Sequence, residues 1–289
     1  MKIAIYGRSL TENYAQFADE LFGVLLDKEI EVLIYASFYE QLKSIIDLPE
    51  EIITFESYED IDSVNYLFSI GGDGTLLEAT TFVGGTSMPI LGINTGRLGF
   101  LTTITTEDIE STVNSIIEKR YKLDKRSLLT LESNHSVKSN FALNEITLQK
   151  KDTSSMITIN AYLDGEYLNT YWADGLIIST PTGSTAYSLS CNGPIILPRS
   201  GNIILTPIAP HNLNVRPLVV PDDVELTLKI DGRTENFLVA LDARSFAVPI
   251  STELKIRKSP HYISLIRLEG YDFLDTLRTK LMWGVDKRN

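Results

Sequence analysis

Apolar positions in the first 120 or so residues follow two alternating rhythms. Lys2–Tyr6 (KIAIY) is a short apolar run of the kind that forms a strand buried on both faces. Ala15, Ala18, Leu21, Phe22, Leu25 and Leu26 then recur at three- and four-residue spacing, which predicts one apolar face of a helix. Glu31–Tyr35, Tyr66–Ile70 and Pro89–Ile93 read as further strands, and Ile109, Val113, Ile116 and Ile117 line a second helix. Strands separated by helices imply a parallel sheet covered by helices, with ligands at the carboxyl ends of the strands. After Lys125 the texture changes to strands and turns. Met156–Leu163 alternates, and Asp164-Gly165 is a two-residue hairpin signal before Glu166–Trp172. Glu225–Ile230 and Phe237–Leu241 flank a second Asp-Gly, at 231–232. Residues 126–266 therefore read as an all-β domain. Tyr271–Trp283 returns to helical spacing, with Phe273, Leu274, Leu277 and Leu281 on one side.

The most distinctive punctuation is SIGGDGTLLEA, residues 69–79, directly behind the apolar run Tyr66–Ile70. Gly71, Gly72 and Gly74 leave backbone amides open to close approach, and a helix from about Leu76 would aim its free N–H groups at the same place. Strand, glycine turn and helix start make a phosphate cradle. Asp73 would repel a bare phosphate there, and it makes sense as a group that takes a proton from an attacking hydroxyl or helps hold a metal ion. The stretch lacks the Lys-Ser or Lys-Thr of a GxxxxGK[ST] loop, and Leu77 stands where GxGxxG needs glycine. A plain tight turn is the alternative. NTGRLGF, residues 94–100, is a second glycine-bearing loop after a strand and should line the same crevice.

Composition narrows the class. The chain has 289 residues, 43% hydrophobic and 22% charged, within the range of a soluble protein of one or two domains. No apolar run approaches the roughly 20 residues of a membrane helix, and the chain opens at once into a strand, so no membrane partner is expected. The single Cys191 excludes an internal disulfide and suits a reducing cytoplasm. A net charge of −12 argues against nucleic acid, and means that an anionic ligand must be attracted locally. His135, His211 and His261 show no metal-ligand spacing.

Two more constellations carry chemistry. In DGLIISTPTGSTAYSLSCNGP, residues 174–194, an apolar strand runs into a turn crowded with hydroxyls and small residues, suited to hydrogen bonding with ribose, amide and phosphate groups. In ALNEIT, residues 142–147, Asn144 and Glu145 interrupt an apolar run. Burying both is costly unless they are paired, and a carboxylate that accepts both hydrogens of a vicinal diol is a good partner for ribose. The alternative is an edge strand facing water.

Together these elements resemble the NAD kinase family, in order and over nearly the whole chain. The matching stretches are GGDGT at 71–75, NTGRLGFL at 94–101, Asn144-Glu145, DGLIISTPTGSTAYSLS at 174–190, LTPIAPHNLNVRPLVVP at 205–221 and DTLRTKLMW near the end. GGDGT alone is shared with diacylglycerol, sphingosine and phosphofructokinase-type kinases; STPTGSTAY and the Asn-Glu pair are far more specific. The resemblance implies a Rossmann-like α/β domain with a parallel sheet over 1–125, to which 267–289 returns, and an all-β, sandwich-like NAD-binding domain over 126–266. It implies transfer of the ATP γ-phosphoryl group to the 2′-hydroxyl of the adenosine ribose of NAD, with Mg²⁺, in a homodimer or homotetramer. By the same resemblance Asp73 is the catalytic aspartate. Gly71, Gly72, Gly74 and Thr75 cradle phosphate, with Arg97 in the adjoining loop and Phe100 as an apolar wall. Asn144 and Glu145 hold a ribose hydroxyl pair, Asp174 meets the nicotinamide end, and Thr182, Thr185, Ala186, Tyr187 and Ser190 line the NAD site. No residue is assigned to a resident metal. The sequence departs from the family at Cys191, which reads as a small packed residue, and at Ala243 and Arg244, which follow an aspartate, Asp242, that fits. Two other readings remain on sequence grounds: a lipid or sugar kinase sharing only the GGDGT loop, and a non-catalytic NADP(H)-binding sensor.

Overall fold

Buried apolar runs and the helices between them assemble as the alternation dictates. The computed structural model describes residues 1–9, 14–49, 52–96, 98–134, 137, 139–151 and 156–284. The chain divides into two compact units, one of Met1–Val83, Ser87–Asp124 and the stretch from Ser264 on, the other of Gly84–Thr86 and Lys125–Ile263. In the first, strands β1 (Lys2–Gly7), β2 (Glu31–Tyr35), β3 (Ile53–Phe55), β4 (Tyr66–Ile70) and β5 (Pro89–Ile93) stand in the order β5–β4–β1–β2–β3, all parallel. Ser264 and Leu265 pair in parallel with Pro89 and Ile90, on the outer side of β5. Helices α1 (Ala15–Asp27), α2 (Ala36–Leu42), α3 (Asp73–Ala79) and α4 (Ile109–Ile117) connect the strands or follow them.

The core of this unit joins Ile3, Ile5, Ile34, Phe68 and Leu91 of the sheet to Phe17, Leu21, Leu25, Val113 and Ile116 of the helices. Two residues assigned to helix faces by spacing lie outside it. Leu26 is 44% exposed and Ile117 is 42% exposed. Each follows a fully buried residue by one position, and a turn of about 100° carries the side chain from core to water. Leu274 in the last helix, Phe273–Leu281, is likewise exposed while Leu277 is buried. That helix is capped by Asp272, whose carboxylate accepts the Leu274 N–H at 2.9 Å.

The second unit is built from antiparallel strands. After β6 (Tyr121–Ser133) and β7 (Phe141–Ala142) come β8 (Glu145–Lys150), β9 (Ile157–Leu163), β10 (Glu166–Ala173), β11 (Gly175–Ser179), β12 (Asn202–Ile208) and β13 (Leu218–Pro221). The last four are β14 (Leu226–Asp231), β15 (Asn236–Leu241), β16 (Arg244–Pro249) and β17 (Leu254–Leu268). One sheet runs β10–β9–β14–β17 and the other β13–β12–β11–β8–β15–β16. Ile146, Leu148, Ile178, Leu205 and Val239 of the second share one core with Ile157, Ile159, Leu226, Leu228 and Ile256 of the first, a sandwich arrangement. Asp164 and Gly165 have φ of 49° and 84°, the two left-handed positions of the tight hairpin that joins β9 to β10. The other Asp-Gly makes no hairpin. β14 pairs with β9 and β17 while β15 pairs with β8 and β16, so at residues 231–232 the chain crosses from one sheet to the other. Among the described residues no helix is long and apolar enough to cross a membrane.

Candidate active site

The first cluster sits at the carboxyl ends of β4 and β5. Strand β4 is buried along its whole length and runs straight into Gly71, whose φ of 147° lies in the region glycine favours. A Cβ there would overlap the Thr75 hydroxyl, so the turn admits no side chain. The Gly71 N–H donates to the Ile93 carbonyl at 2.9 Å, tying the two strand ends together. Helix α3 begins at Asp73, three residues earlier than the spacing suggested, with Gly72 as its cap. Gly72 and Gly74 are exposed, with no atom within 4 Å of where their side chains would stand, so both present open backbone.

Asp73 is the anchor of the NTGRLGF loop. Its Oδ1 accepts from Leu101 N at 3.1 Å, Thr102 N at 2.9 Å and the Thr102 hydroxyl at 2.8 Å, and its Oδ2 accepts from Phe100 N at 2.7 Å. Asn94 Nδ2 donates to the same Thr102 hydroxyl at 2.8 Å, and Asn94 Oδ1 accepts the Gly96 N–H at 2.7 Å. A Cβ on Gly99 would overlap Asp73 Oδ1, which is why glycine stands there. Gly99 and Thr102 belong to this cluster although the sequence reading did not single them out; the signal for Gly99 was its being the second glycine of the loop, which a strand-end turn alone does not require. The carboxylate is an acceptor for four donors, three on Oδ1 and one on Oδ2, so its spare acceptor capacity lies on Oδ2. Asparagine would keep the shape but lose at least one of the four bonds, because an amide nitrogen in place of Oδ2 would face the Phe100 N–H. Phe100 is partly buried, its ring 6.4 Å from that of Phe273. Arg97 lies outside the described residues.

The second cluster surrounds Asn144 and Glu145, which are only 8% and 9% exposed. Glu145 opens β8, a central strand, so the edge-strand alternative is excluded. Leu143 N, Asn144 N and Glu145 N all donate to the Asp242 carboxylate, at 2.9, 2.8 and 3.2 Å. Asp242 itself has φ of 53° and returns its own N–H to the Glu145 carbonyl at 3.0 Å. Burial raises its carboxyl above the usual range, against the pull of those three N–H groups and of Arg244. Burial, with the neighbouring Asp242 charge next, raises Glu145 from 4.5 to about 8, against a hydrogen bond from the Tyr187 backbone. Its Oε2 is buried without a hydrogen-bond partner. A buried carboxyl oxygen left open in this way is a ready acceptor for an incoming hydroxyl.

The hydroxyl-rich turn closes over this pair. Thr180 N and Thr180 Oγ1 donate to the carbonyls of Asn144 and Leu143 at 2.9 and 2.6 Å. A Cβ on Gly183 would overlap the Asn144 carbonyl. Thr182 is buried and accepts from the buried Arg126 at 3.3 Å, and Thr185 Oγ1 donates to the Thr182 carbonyl at 3.3 Å. Ala186 and Thr185 are partly buried, while Tyr187, whose hydroxyl accepts from Gln149 at 3.1 Å, and Ser190 are exposed. Asp174 immediately precedes β11, paired with Lys150 at 2.6 Å, and its charge acts on the Tyr187 hydroxyl. The structure thus gathers Asn144, Glu145, Thr182 and Tyr187, brings the Asp174 charge to bear on Tyr187, and leaves Ser190 exposed. Cys191 is partly buried, and burial raises its thiol. No cluster of three or more His, Cys, Asp or Glu side chains able to hold a metal occurs among the described residues.

Each cluster includes residues from a stretch that matches a known domain family. Residues 3–121 match the ATP-NAD kinase N-terminal domain and residues 143–268 match the ATP-NAD kinase C-terminal domain. An NAD kinase of Flavobacterium psychrophilum is 50% identical, and one of Cytophaga hutchinsonii 48%, each covering 100% of this chain and of the relative. A crystal structure of an NAD kinase from Archaeoglobus fulgidus in complex with ATP superposes with a TM-score of 0.77 at 26% identity, covering 98% of this chain and 99% of that one. Yeast NADH kinase complexed with NADH shares the fold, with a TM-score of 0.90 at 23% identity over 100% of this chain and 89% of that one. Both domain models match, so GGDGT is not an isolated loop here, and a kinase sharing that loop alone is set aside. The chain belongs to the ATP-NAD kinase family.

Proposed function

We propose that the protein transfers the γ-phosphoryl group of ATP to the 2′-hydroxyl of the adenosine ribose of NAD, giving NADP and ADP. The observation that carries this reading is Glu145, a buried carboxyl with one oxygen unpartnered beside the buried Asn144. A ribose diol supplies the two hydroxyl donors that such a group lacks, and an apolar lipid chain supplies none. Thr182, Thr185, Ala186 and Tyr187 form the turn against that ribose, with Asp174 and Ser190 further out along the dinucleotide.

Asp73 is the catalytic carboxylate in this reading. As the 2′-oxygen attacks phosphorus, the bond to the bridging oxygen breaks, ADP leaves with the electron pair, and the hydroxyl proton passes to Asp73 Oδ2, the less occupied oxygen. The open backbone at Gly72 and Gly74 faces the transferred phosphate in this reading, with Gly71 and Thr75 shaping the turn and Phe100 in the loop that Asp73 anchors; the resemblance adds Arg97. The residues present do not fit a resident metal, because Asp73 already serves four donors and no cluster of metal-binding side chains accompanies it among the described residues. Mg²⁺ therefore enters with ATP as part of the substrate and offsets its charge. We also assign the protein to the cytoplasm, a reducing setting that suits its single cysteine, Cys191. We also place the activity in a homo-oligomer: the exposed loop 210–217, with Leu213 91% exposed, suits contact with another copy. Sedimentation showing an active monomer would remove that element. The decisive assay incubates the protein with ATP, Mg²⁺ and NAD and reads the product with an NADP-specific dehydrogenase. Absence of NADP from both NAD and NADH would sink the proposal.

A further inference from the structure

The peptide group that joins Leu101 to Thr102 is gripped from both sides. Its N–H, that of Thr102, donates to Asp73 Oδ1 at 2.9 Å. Its carbonyl, that of Leu101, accepts from Arg267 Nη1 at 2.8 Å, and the same nitrogen donates to the Thr103 hydroxyl at 2.9 Å. Leu101, Thr102 and Arg267 are all buried, so water does not compete for these groups. Arg267 stands near the end of β17, and two further contacts seat its guanidinium. Nε lies 3.4 Å from Asp124 Oδ2, in a pair buried on both sides, and the Tyr271 ring centre lies 4.3 Å from the guanidinium carbon. All of these residues belong to the first unit.

We propose that Arg267 is a positioning residue for the phosphotransfer, acting on Asp73 through the 101–102 peptide. A cation at the carbonyl oxygen polarises the amide and makes the N–H of the same peptide a stronger donor, so the two hydrogen bonds reinforce one another in series. Asp73 Oδ1 is thereby fixed, and Oδ2 keeps one orientation toward the reacting hydroxyl. Neutralising Asp124 would need only the Nε contact. Nη1 is aimed instead at the loop, where it ties the residue that Asp73 holds to the next one along. The inference rests on the reading of Asp73 as the catalytic carboxylate. Arg267 itself touches no substrate in this arrangement.

Steady-state kinetics of the full chain with ATP, Mg²⁺ and NAD, together with amide spectra of nitrogen-15-labelled protein, test it. Arg267→Gln lowers kcat about tenfold to a hundredfold, the range for a lost hydrogen bond to a charged group. The KM for NAD stays within about twofold, because the interaction serves the reacting group and not the ribose grip. The Thr102 amide proton moves upfield, and by more than that of Phe100, whose N–H belongs to a different peptide. Arg267→Lys keeps a charge beside Asp124 and one donor for the loop but loses the fork, so both effects appear in the same direction and are smaller. Where Arg267→Gln does not fold, the lysine variant carries both readouts. Parent-like kcat with an unmoved Thr102 amide in a folded variant overturns the inference, and so does a lysine variant as impaired as the glutamine one. A kcat loss matched by an equal rise in KM for NAD overturns it as well, since that marks general damage to the fold. Asp73→Asn is assayed alongside. If it loses turnover while the Arg267 variants keep theirs, this inference alone fails; if it keeps turnover, the reading of Asp73 fails first.

Discussion

Glu145→Gln removes a titratable group while keeping the side-chain shape, and its effect on folding follows from the titration. The carboxyl titrates near 4.5 in a solvated chain and near 8 in the folded protein, chiefly because of burial. Between those values the unfolded chain releases a proton that the folded chain retains. Stability therefore falls as pH rises, beginning near pH 4.5 and levelling off above pH 8. At about 1.4 kcal/mol per unit, the penalty is under about 1 kcal/mol at pH 5, about 3 kcal/mol at pH 7 and about 5 kcal/mol above pH 8. Glutamine carries no charge at any of these pH values, and its carbonyl can still accept the Tyr187 N–H. Urea unfolding of both proteins at pH 5, 6, 7 and 8 should show the variant gaining on the parent by about 2–3 kcal/mol between pH 5 and 7. The same variant should bind NAD about tenfold or more weakly, since its amide nitrogen replaces one of the two carboxyl oxygens that face the ribose hydroxyls. A stability difference that stays flat from pH 5 to pH 8 would refute the reasoning, because it would mean that Glu145 titrates alike in both states.

Asp73→Asn should lower kcat by about 10²–10⁴, the usual worth of general acid–base help. Amide exchange at Phe100, Leu101 and Thr102 should quicken with it, since these N–H groups lose carboxylate acceptors; near-parent turnover would remove the base role. Gly183→Ala should cost about a hundredfold in kcat/KM for NAD, the scale of a misplacement near 1 Å, because the new Cβ must push the Asn144 carbonyl aside. Unchanged kinetics in that variant would show that the turn does not set the position of the pair.

What the sequence disclosed depended on how strong the local signal was. Buried parallel strands such as Tyr66–Ile70 announce themselves because every position is apolar. By contrast β3 is three residues long with two of them exposed, and α2 has only Phe38 and Leu42 buried, so neither repeats a period often enough to be seen. Asp231-Gly232 carried the chemistry of a hairpin, but partner choice is made by the flanking strands, and those belong to different sheets. At the site, Asn144 and Glu145 were legible as polar residues inside an apolar run. Asp242 was not legible as their anchor, since its three hydrogen bonds cross nearly a hundred residues of chain and leave no local trace. The grip of Asp73 on residues 100–102 was hidden for the same reason: a carboxylate's partners are backbone amides, which every residue possesses.

The pairing of Ser264 and Leu265 with β5 sets the order in which this chain can mature. Strand β5 leaves the ribosome more than half the chain before the segment that covers its outer side. Ile104 bonds the Gly92 carbonyl and the Asn94 N–H early, but until then the Pro89–Ile90 end of that edge is left open, a template for pairing with the wrong strand or another nascent chain. Parallel pairing over such a separation also closes late, because the entropy of the intervening loop must be met first. Ile266, just beyond, is a buried member of the first unit's core, so that core too stays incomplete until the last tenth of the sequence is made. Chains cut short before Ser264 should therefore accumulate as aggregates rather than as a folded first unit.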